Sequence, residues 1–546
     1  MKRNSMCPIC FLRTVFTRPS KVGDVYPKTK YDDGKVVAPP MGWSSWNTFK
    51  NNIDEDLIYE TAVAMKEKGL LAAGYDRINM DDCWHSSLRD ENGDLQGDLT
   101  RFRSGIGELV SKINALGIKV GIYSSNGTLT CEDLPASLGN EYRDAYTFAK
   151  WGIEFFKYDF CHNVPLPSYA PLVYGIEVTE RGKKEGTFYP CTDAKTEGLA
   201  KLMPCGKLPT GYFVSGMDRC RGAMEFDNVY SEEGGEYVLT LCCKKTNSQY
   251  EKLAMITIGD DDYLCNIPPQ KFWNVTSRFQ TVVKLKKGVN RVRIFNPVAT
   301  RADSAMLQYL KMGRALKTAT ARVAAESGKA EKPILYSICE WGKNQPWKWG
   351  ALAGNMWRTT PDIIPRWFWI KMIYDKTVGL YKYASQGAYN DPDMLEVGNG
   401  KLTAEQNRSH FALWCMMAAP LILGNDLRTM SDEVLGIVTN EDLISIDGDA
   451  LGKAAKRIRR GRTDVLVRPL SGGGAAICLF NRTGRQRKAE ISLKAVIDDG
   501  YAGLENGKKY VCKEVYSGKT YEVGDSLCAL LAGDGCEVFV LGKNKQ

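Results

Sequence analysis

The amino-acid sequence predicts an α/β chain: a (β/α)8 TIM barrel, interrupted in its fourth βα loop by a β-sandwich and followed by a C-terminal antiparallel β-sandwich. Three observations carry that prediction. Eight short β-rich runs, each ending in polar residues, are separated by helical patterns. Eight strand-helix units with functional groups at the strand ends describe a barrel whose chemistry sits at the C-terminal mouth. Between Cys161 and about Ala302 this rhythm stops and short alternating runs joined by Gly, Asn and Asp turns take over. After residue 453 only alternating runs remain.

In chain order, "PPMGWSSWNTF" supplies the first strand and "YDRINMDDCW" the second, which ends in two carboxylates. Between them, residues 54–68 place Ile58, Ala62 and Met65 on one helical face, with acidic residues in the first turn and Gly69 as a stop. "IKVGIYSSNG" is the third strand and "IEFFKYDFCH" the fourth. The runs "GGEYVLTLCCKK", "KLAMITIGDD" and "FQTVVKLKKGVNRVRIFNP" then indicate the inserted sandwich, since so long a loop without structure of its own is implausible in a compact domain. A helix resumes with "SAMLQYLKMGRALKTATARVAAES", and "PILYSICEWG", "MWRTTPDI", "AYNDPDML" and "PLILGNDL" complete the eight strands. The helix before the last strand opens with the capping-box pattern Thr403 to Gln406 and carries Phe411, Trp414 and Ala418. "KRIRRGRTDVLVRPL", "GAAICLFNRTG", "RKAEISL" and "CEVFVL" form the second sandwich. The expected division is an N-terminal extension (1–36), the barrel in two parts (37–165 and 302–453), the insertion (166–301) and the C-terminal domain (454–546).

Composition narrows the function classes. With 546 residues and 44% hydrophobic content the chain can bury several cores, and no window approaches 18 consecutive apolar residues. The start has basic residues but only a short, interrupted apolar patch, so a cytoplasmic protein without a membrane partner is expected. Seventeen cysteines scattered through a long chain suit buried thiols. The net charge of +9 comes from 73 basic residues interspersed with 64 acidic ones, a mixed solvated surface rather than a nucleic-acid face. The basic cluster from Lys456 to Arg462 reads as a domain-junction strand, and "CPIC" at Cys7 and Cys10, half a zinc knuckle with no second half nearby, is better explained by chance or an extended start. Homo-oligomerisation is left open.

The polar residues at the strand ends can be weighed one by one. Asp81 and Asp82 alone read as a turn or helix cap. Lys157 and Asp159, two apart on the fourth strand, point to one side, where the ammonium is expected to hold the carboxyl's pKa down. Arg358 with Asp362, and Asp391 with Asp393, follow two further strands and could each be ordinary turns. Carboxylates delivered by several strand ends to one mouth are much harder to explain by packing. Three histidines without ligand spacing, and no nucleophile elbow or phosphate loop, argue against a metal site, a cofactor and other reaction classes. Carboxylates with Trp and Tyr fit a sugar site in which two carboxyls cleave a glycosidic bond.

In order, "APPMGWSSWNTF", "INMDDCW", "GIKVGIYSS", "FFKYDFC", "PILYSICEWG", "WRTTPDI", "NDPDML" and "AAPLILGNDLR" resemble the α-galactosidases of glycoside hydrolase family 27, through residues 38–162 and 302–453. The insertion, through "GEYVLTL" and "VKLKKGVNRVRI", is similar to carbohydrate-binding modules of the family 6 and 35 type. The resemblance implies an exo-acting retaining double displacement that removes terminal α-linked galactose. Asp159 is then the nucleophile, with Lys157 lowering its pKa and binding a sugar hydroxyl. Asp362 is the acid/base, about 5 to 5.5 Å from Asp159 if the mechanism is retaining. It further places Asp81 and Asp82 on the 4- and 6-hydroxyls, Trp46 under the ring, and Tyr123, Arg358, Trp341 and Asp393 around the site. Glu340 reaches the 2-hydroxyl, and Cys131 with Cys161 matches a family disulfide. Tyr389 and Phe160 depart from the family pattern and are expected to reshape the mouth.

Other readings remain within the resemblance: an α-N-acetylgalactosaminidase, which Glu340 disfavours by filling the acetamido space, a β-L-arabinopyranosidase, which Asp81 disfavours, or an isomaltodextranase-like enzyme. From another class, a non-catalytic sugar-binding protein needs neither Asp159 nor Asp362. The insertion is expected either to hold polysaccharide or to wall the pocket.

Overall fold

The computed structural model of the protein describes residues 29–245, 251–269 and 276–543. The sequence carries Asn-X-Ser/Thr sequons at Asn126, Asn274, Asn407 and Asn481; the one at Asn274, the Cys7 and Cys10 pair and most of the 1–36 extension lie outside the described residues. Eight parallel strands form the central sheet: β1 (Met41–Ser44), β2 (Arg77–Asn79), β3 (Lys119–Ser125), β4 (Phe155–Asp159), β5 (Leu335–Ile338), β6 (Met356–Arg358), β7 (Tyr389–Asp391) and β8 (Leu421–Leu423). Each pairs with its successor through β7, and β1 pairs with β8. A parallel bridge from Leu395 to Leu423 closes the ring between the seventh and eighth strands. Every strand therefore empties toward one rim, where a barrel holds its functional groups.

Local chemistry explains the helices that wrap the sheet. The helix Glu55–Glu67 starts where the Asp54 side chain accepts from the Leu57 N–H at 2.8 Å, and it buries Ile58, Ala62 and Met65 completely. The Ile58 and Met65 side chains each contribute about 2 kcal/mol by leaving water, and the Ala62 methyl about 1 kcal/mol. The helix Ala404–Met416 carries both halves of the capping box, Thr403 Oγ1 accepting from Gln406 N and Gln406 Oε1 accepting from Thr403 N. Two expectations are corrected. The first strand is only four residues, since Trp46–Phe49 is a helical turn, and Ala418 lies past its helix, at φ 50°.

Residues Pro165–Ala305 form one compact unit, and the rest of the described chain a second. The first is an antiparallel sandwich. One sheet runs Asp261–Ile267, Lys252–Ile258, Gly288–Phe295, Gly222–Ser231, Lys195–Gly198, and the other is built on Thr276–Leu285, Gly235–Lys244 and Leu172–Glu180. Its core includes Val173, Ile176, Leu239, Leu241, Ile256 and Ile294. These are the inward positions of alternating strands.

Within the second unit the C-terminal domain folds as a six-stranded and a two-stranded antiparallel sheet around Val467, Ile477, Leu479, Leu527 and Phe539. The basic cluster meets carboxylates at its junction with the barrel. Arg457 and Arg482 both reach Asp375, at 2.5 and 2.7 Å, and Asp464, at 3.1 and 2.9 Å, while Lys456 reaches Asp499 at 2.8 Å. Burial works to raise the Asp375 carboxyl, but the two guanidinium groups outweigh it and hold it at about 2. The sequon residues Asn126, Asn407 and Asn481 are all buried. No helix among the described residues is long and apolar enough to cross a membrane.

Candidate active site

The rim above β2, β4, β6 and β7 collects the predicted carboxylates because each lies at, or one to four residues beyond, the end of its strand. Asp159 closes β4 and is 5% exposed. Its Oδ1 accepts from the Phe160 N–H at 2.7 Å, and its carbonyl accepts from Asn126 N at 2.8 Å and Tyr309 Oη at 3.2 Å. Three independent bonds thus fix the end of the strand.

Lys157 does not pair with Asp159. Its Nζ lies 2.8 Å from Asp81 Oδ2, across two neighbouring strands, and 5.2 Å from the centre of the Tyr123 ring. Burial tends to deprotonate this ammonium, but Asp81, Cys339 and Asp159 outweigh it and hold its pKa well above the ordinary value. Lys157 does pull the Asp159 pKa down, as expected, but it does not set the net value. Burial pushes that carboxyl up to about 7; Lys157 pulls against this, while the charges of Asp362 and Asp81 add to it. Desolvation wins because the ammonium is already committed to Asp81.

Asp362 sits in the loop after β6 with its side chain exposed, and Arg358 Nη2 donates to its Oδ1 at 2.9 Å. The same nitrogen lies 2.8 Å from Asp393 Oδ2. Partial burial would raise Asp362, but Arg358 and then Lys157 hold it below the usual carboxylate range. Asp393, at a left-handed φ of 83°, accepts from Ile363 N and Met394 N, and burial lifts it to about 6. The guanidinium of Arg358, 2% exposed, is therefore a bridge between the ends of β6 and β7.

The paired aspartates after β2 part company. Asp81 faces Lys157 and Ser44 Oγ, whereas Asp82 turns to the N–H groups of Cys83 and Glu132, with burial lifting its carboxyl to about 6. Tyr123, fully buried, has a hydroxyl with no partner in the structure. Trp46 is half-buried after β1, with Lys50 Nζ 5.1 Å from its ring. Inside the barrel, a cavity of about 30 Å³ is lined by Asn79, Asp81, Lys157, Arg358, Asp391 and Asp393 among others.

Cys131 and Cys161 form a disulfide with Cα atoms 5.2 Å apart, and both sulfurs lie within 4.8 Å of an Asp159 carboxylate oxygen. The bridge takes both thiols, so this acidic corner is not a metal-ligand set. The other described cysteines are free, and most are buried.

Glu340, expected to reach the sugar 2-hydroxyl, is engaged by its own loop. It is 0% exposed, and its oxygens accept from the Asn344 N–H at 2.9 and 2.8 Å and from Asn344 Nδ2 at 2.5 Å, so the carboxylate folds back on its own loop. Trp341, half-buried, meets the edge of Phe160, whose ring lies parallel to Tyr309 at 6.3 Å. Phe160 is at the rim as expected. Tyr389 is not: it opens β7, packs with Phe155, Leu335 and Met356 at the opposite end of the barrel, and is fully buried. Sequence reasoning missed Asn344 and Tyr309, on the helix Arg301–Ser327, which carry no motif, and the Asn47 to Glu396 bond of 2.8 Å.

A (β/α)8 barrel that buries one aspartate at the end of β4, sets a second in the loop after β6 and surrounds them with hydrogen-bonding charges and aromatic rings has the make-up of a glycoside hydrolase. The family model described as alpha galactosidase A matches residues 38–182 and 294–449, and that of the alpha galactosidase C-terminal beta sandwich domain matches 460–541. The chain is 33% identical over 456 residues to alpha-galactosidase A of Cellvibrio japonicus, covering 81% of this chain and 76% of the relative. It is 30% identical over 517 residues to alpha-galactosidase 2 of Arabidopsis thaliana, covering 94% and 92%. Alpha-galactosidase I from Mortierella vinacea shares the fold at a TM-score of 0.65 and 23% identity, covering 94% of this chain and 99% of that one. The chain belongs to the alpha-galactosidase family, glycoside hydrolase family 27. Residues 183–293, within the inserted sandwich, fall outside the family match.

Proposed function

We propose that the protein is a retaining, exo-acting α-galactosidase that releases terminal α-linked galactose from oligosaccharides, polysaccharides or glycoconjugates, with Asp159 as nucleophile and Asp362 as acid/base. The observation that carries this reading is the pairing of a buried carboxyl with an exposed one, each near enough to feel the other's charge. The buried member suits attack on an anomeric carbon in a dry pocket; the exposed one suits exchange of a proton with a departing alcohol and then with water.

The pair holds its proton the wrong way round for the first step, since burial favours the neutral form of Asp159 and Arg358 favours the charged form of Asp362. Arg358 also bonds Asp393, so it can release Asp362 without losing every anionic partner. A glycosidic oxygen that accepts from Asp362 rewards a proton there, and Lys157 supports the resulting charge on Asp159. The anomeric carbon then bonds to the Asp159 oxygen as the C–O bond to the leaving group breaks and Asp362 gives up its proton. Water, deprotonated by Asp362, reverses the sequence. Asp81, Lys157, Tyr123, Arg358 and Asp393 are proposed to hold the sugar hydroxyls, and Trp46 to lie under the ring.

Initial rates on p-nitrophenyl α-galactoside and p-nitrophenyl α-N-acetylgalactosaminide test the reading. Turnover of the first alone, lost in Asp159→Asn, supports it; preference for the acetamido sugar overturns the galactose assignment, and silence on both overturns the activity.

A further inference from the structure

The end of β5 passes into a loop, "EWGKNQPWKW" from Glu340 to Trp349, whose conformation is unusual for its residues. Trp341 and Gln345 both take left-handed φ values, 56° and 55°, with Gly342 at 73° between them. Side chains rarely adopt this region, so something must hold Trp341 there. Gly342 is required twice over: by its φ, and because a Cβ at that position would lie 2.3 Å from the Thr359 carbonyl oxygen at the end of β6. The loop is pressed against the neighbouring strand end and closed from inside. Asn344 donates its backbone N–H and its side-chain amide to the Glu340 carboxylate, and its carbonyl accepts from Trp349 Nε1 at 3.0 Å. Trp341, fixed in this way, meets Phe160, whose N–H binds Asp159. A path of contacts thus runs from Asn344 to the reacting carboxyl.

We infer that Asn344 is a positioning residue for Trp341, acting through Glu340, and that Glu340 shapes sugar recognition by clasping this loop rather than by accepting a hydrogen bond from the sugar 2-hydroxyl. The inference rests on the galactosidase reading above and deepens it. Discrimination at carbon 2 then comes from the fixed wall of the loop, and Asn344 becomes as important to it as Glu340.

The test uses the full chain and steady-state kinetics on p-nitrophenyl α-galactoside and its 2-deoxy analogue, for the wild type, Glu340→Gln, Asn344→Ala and the double variant. Loosening the loop removes binding energy whether or not the 2-hydroxyl is present. Each single change is expected to raise KM about tenfold on both substrates with kcat little altered, and the double variant to be no worse than the poorer single one. Mere unfolding would lower the active fraction without moving KM. A Glu340→Gln loss confined to the 2-hydroxyl substrate, or losses from the two positions that multiply, would overturn the clasp. If Asn344→Ala fails to fold, the Glu340→Gln comparison across the two substrates decides alone. Wild-type silence on both galactosides overturns the parent reading and the clasp together, whereas wild-type turnover with a 2-hydroxyl-specific loss overturns the clasp only.

Discussion

Replacing Asp159 by Asn should stabilise the protein, and do so mainly above mildly acidic pH. The carboxyl is 5% exposed and its pKa moves from 3.8 to about 7 on folding, chiefly through burial. For an acid raised in this way, the folded state holds the proton more tightly than the unfolded chain. Stability is therefore greatest below the unfolded value and is lost as pH rises through the folded one. The span is about three pH decades, and at about 1.4 kcal/mol for each the ceiling is about 4 kcal/mol of strain at pH 7.5, against about 1 kcal/mol near pH 4.5. Asparagine is nearly isosteric and carries no charge to desolvate. At about 2 °C per kcal/mol for a domain of this size, calorimetry should find the barrel of the variant melting about 4 to 8 °C above wild type at pH 7.5, with the gap narrowed to about 2 °C at pH 4.5. A gain independent of pH, or a variant less stable at pH 7.5, would refute the claim that burial dominates at Asp159.

Three further outcomes follow from the same site. Lys157→Met leaves Asp81 buried without its 2.8 Å partner, and urea unfolding should show a loss of about 3 kcal/mol that a second change, Asp81→Asn, largely restores. Cutting the Cys131 to Cys161 bridge as Cys131→Ser with Cys161→Ser opens a loop of sequence separation 30, worth about 3.5 kcal/mol of chain entropy. A lower melting temperature insensitive to reductant is the expected result, set against a wild type that reductant destabilises. Gly342→Ala combines strain with a 2.3 Å clash, and its kcat/KM should fall about a hundredfold while Gly436→Ala, whose added Cβ meets nothing within 4 Å, leaves activity unchanged.

Much of this architecture was legible because it is written in local pattern. A strand such as β4 announces itself by apolar residues, and polar groups at its far end point to a mouth whatever the rest of the fold. The capping box at Thr403 was legible for the same reason: its four residues contain the whole interaction. Partners across the barrel were not. Alternation shows which side Lys157 faces, but Asp81 lies 76 residues away, just past β2, and nothing local prefers it over Asp159. Tyr389 and Asp391 share a strand face by the same alternation, yet pairing of Tyr389 with Met356 sets it a layer below the rim, a matter of register that sequence spacing leaves open. The Glu340 loop was illegible for another reason. Its turn depends on Trp341 and Gln345 at positive φ, which residue propensities argue against, and on an Asn344 that belongs to no motif.

The central claim, a covalent galactosyl-enzyme on Asp159, is tested most directly by trapping it. The protein would be incubated with 5-fluoro-α-galactosyl fluoride, whose ring fluorine slows breakdown of the intermediate, then quenched, digested and sequenced by mass spectrometry. The account predicts a fluorogalactosyl adduct on the peptide carrying Asp159, absent from Asp159→Asn. Hydrolysis with no trapped adduct and an inverted anomer as first product, or an adduct mapped to Asp362, would contradict it.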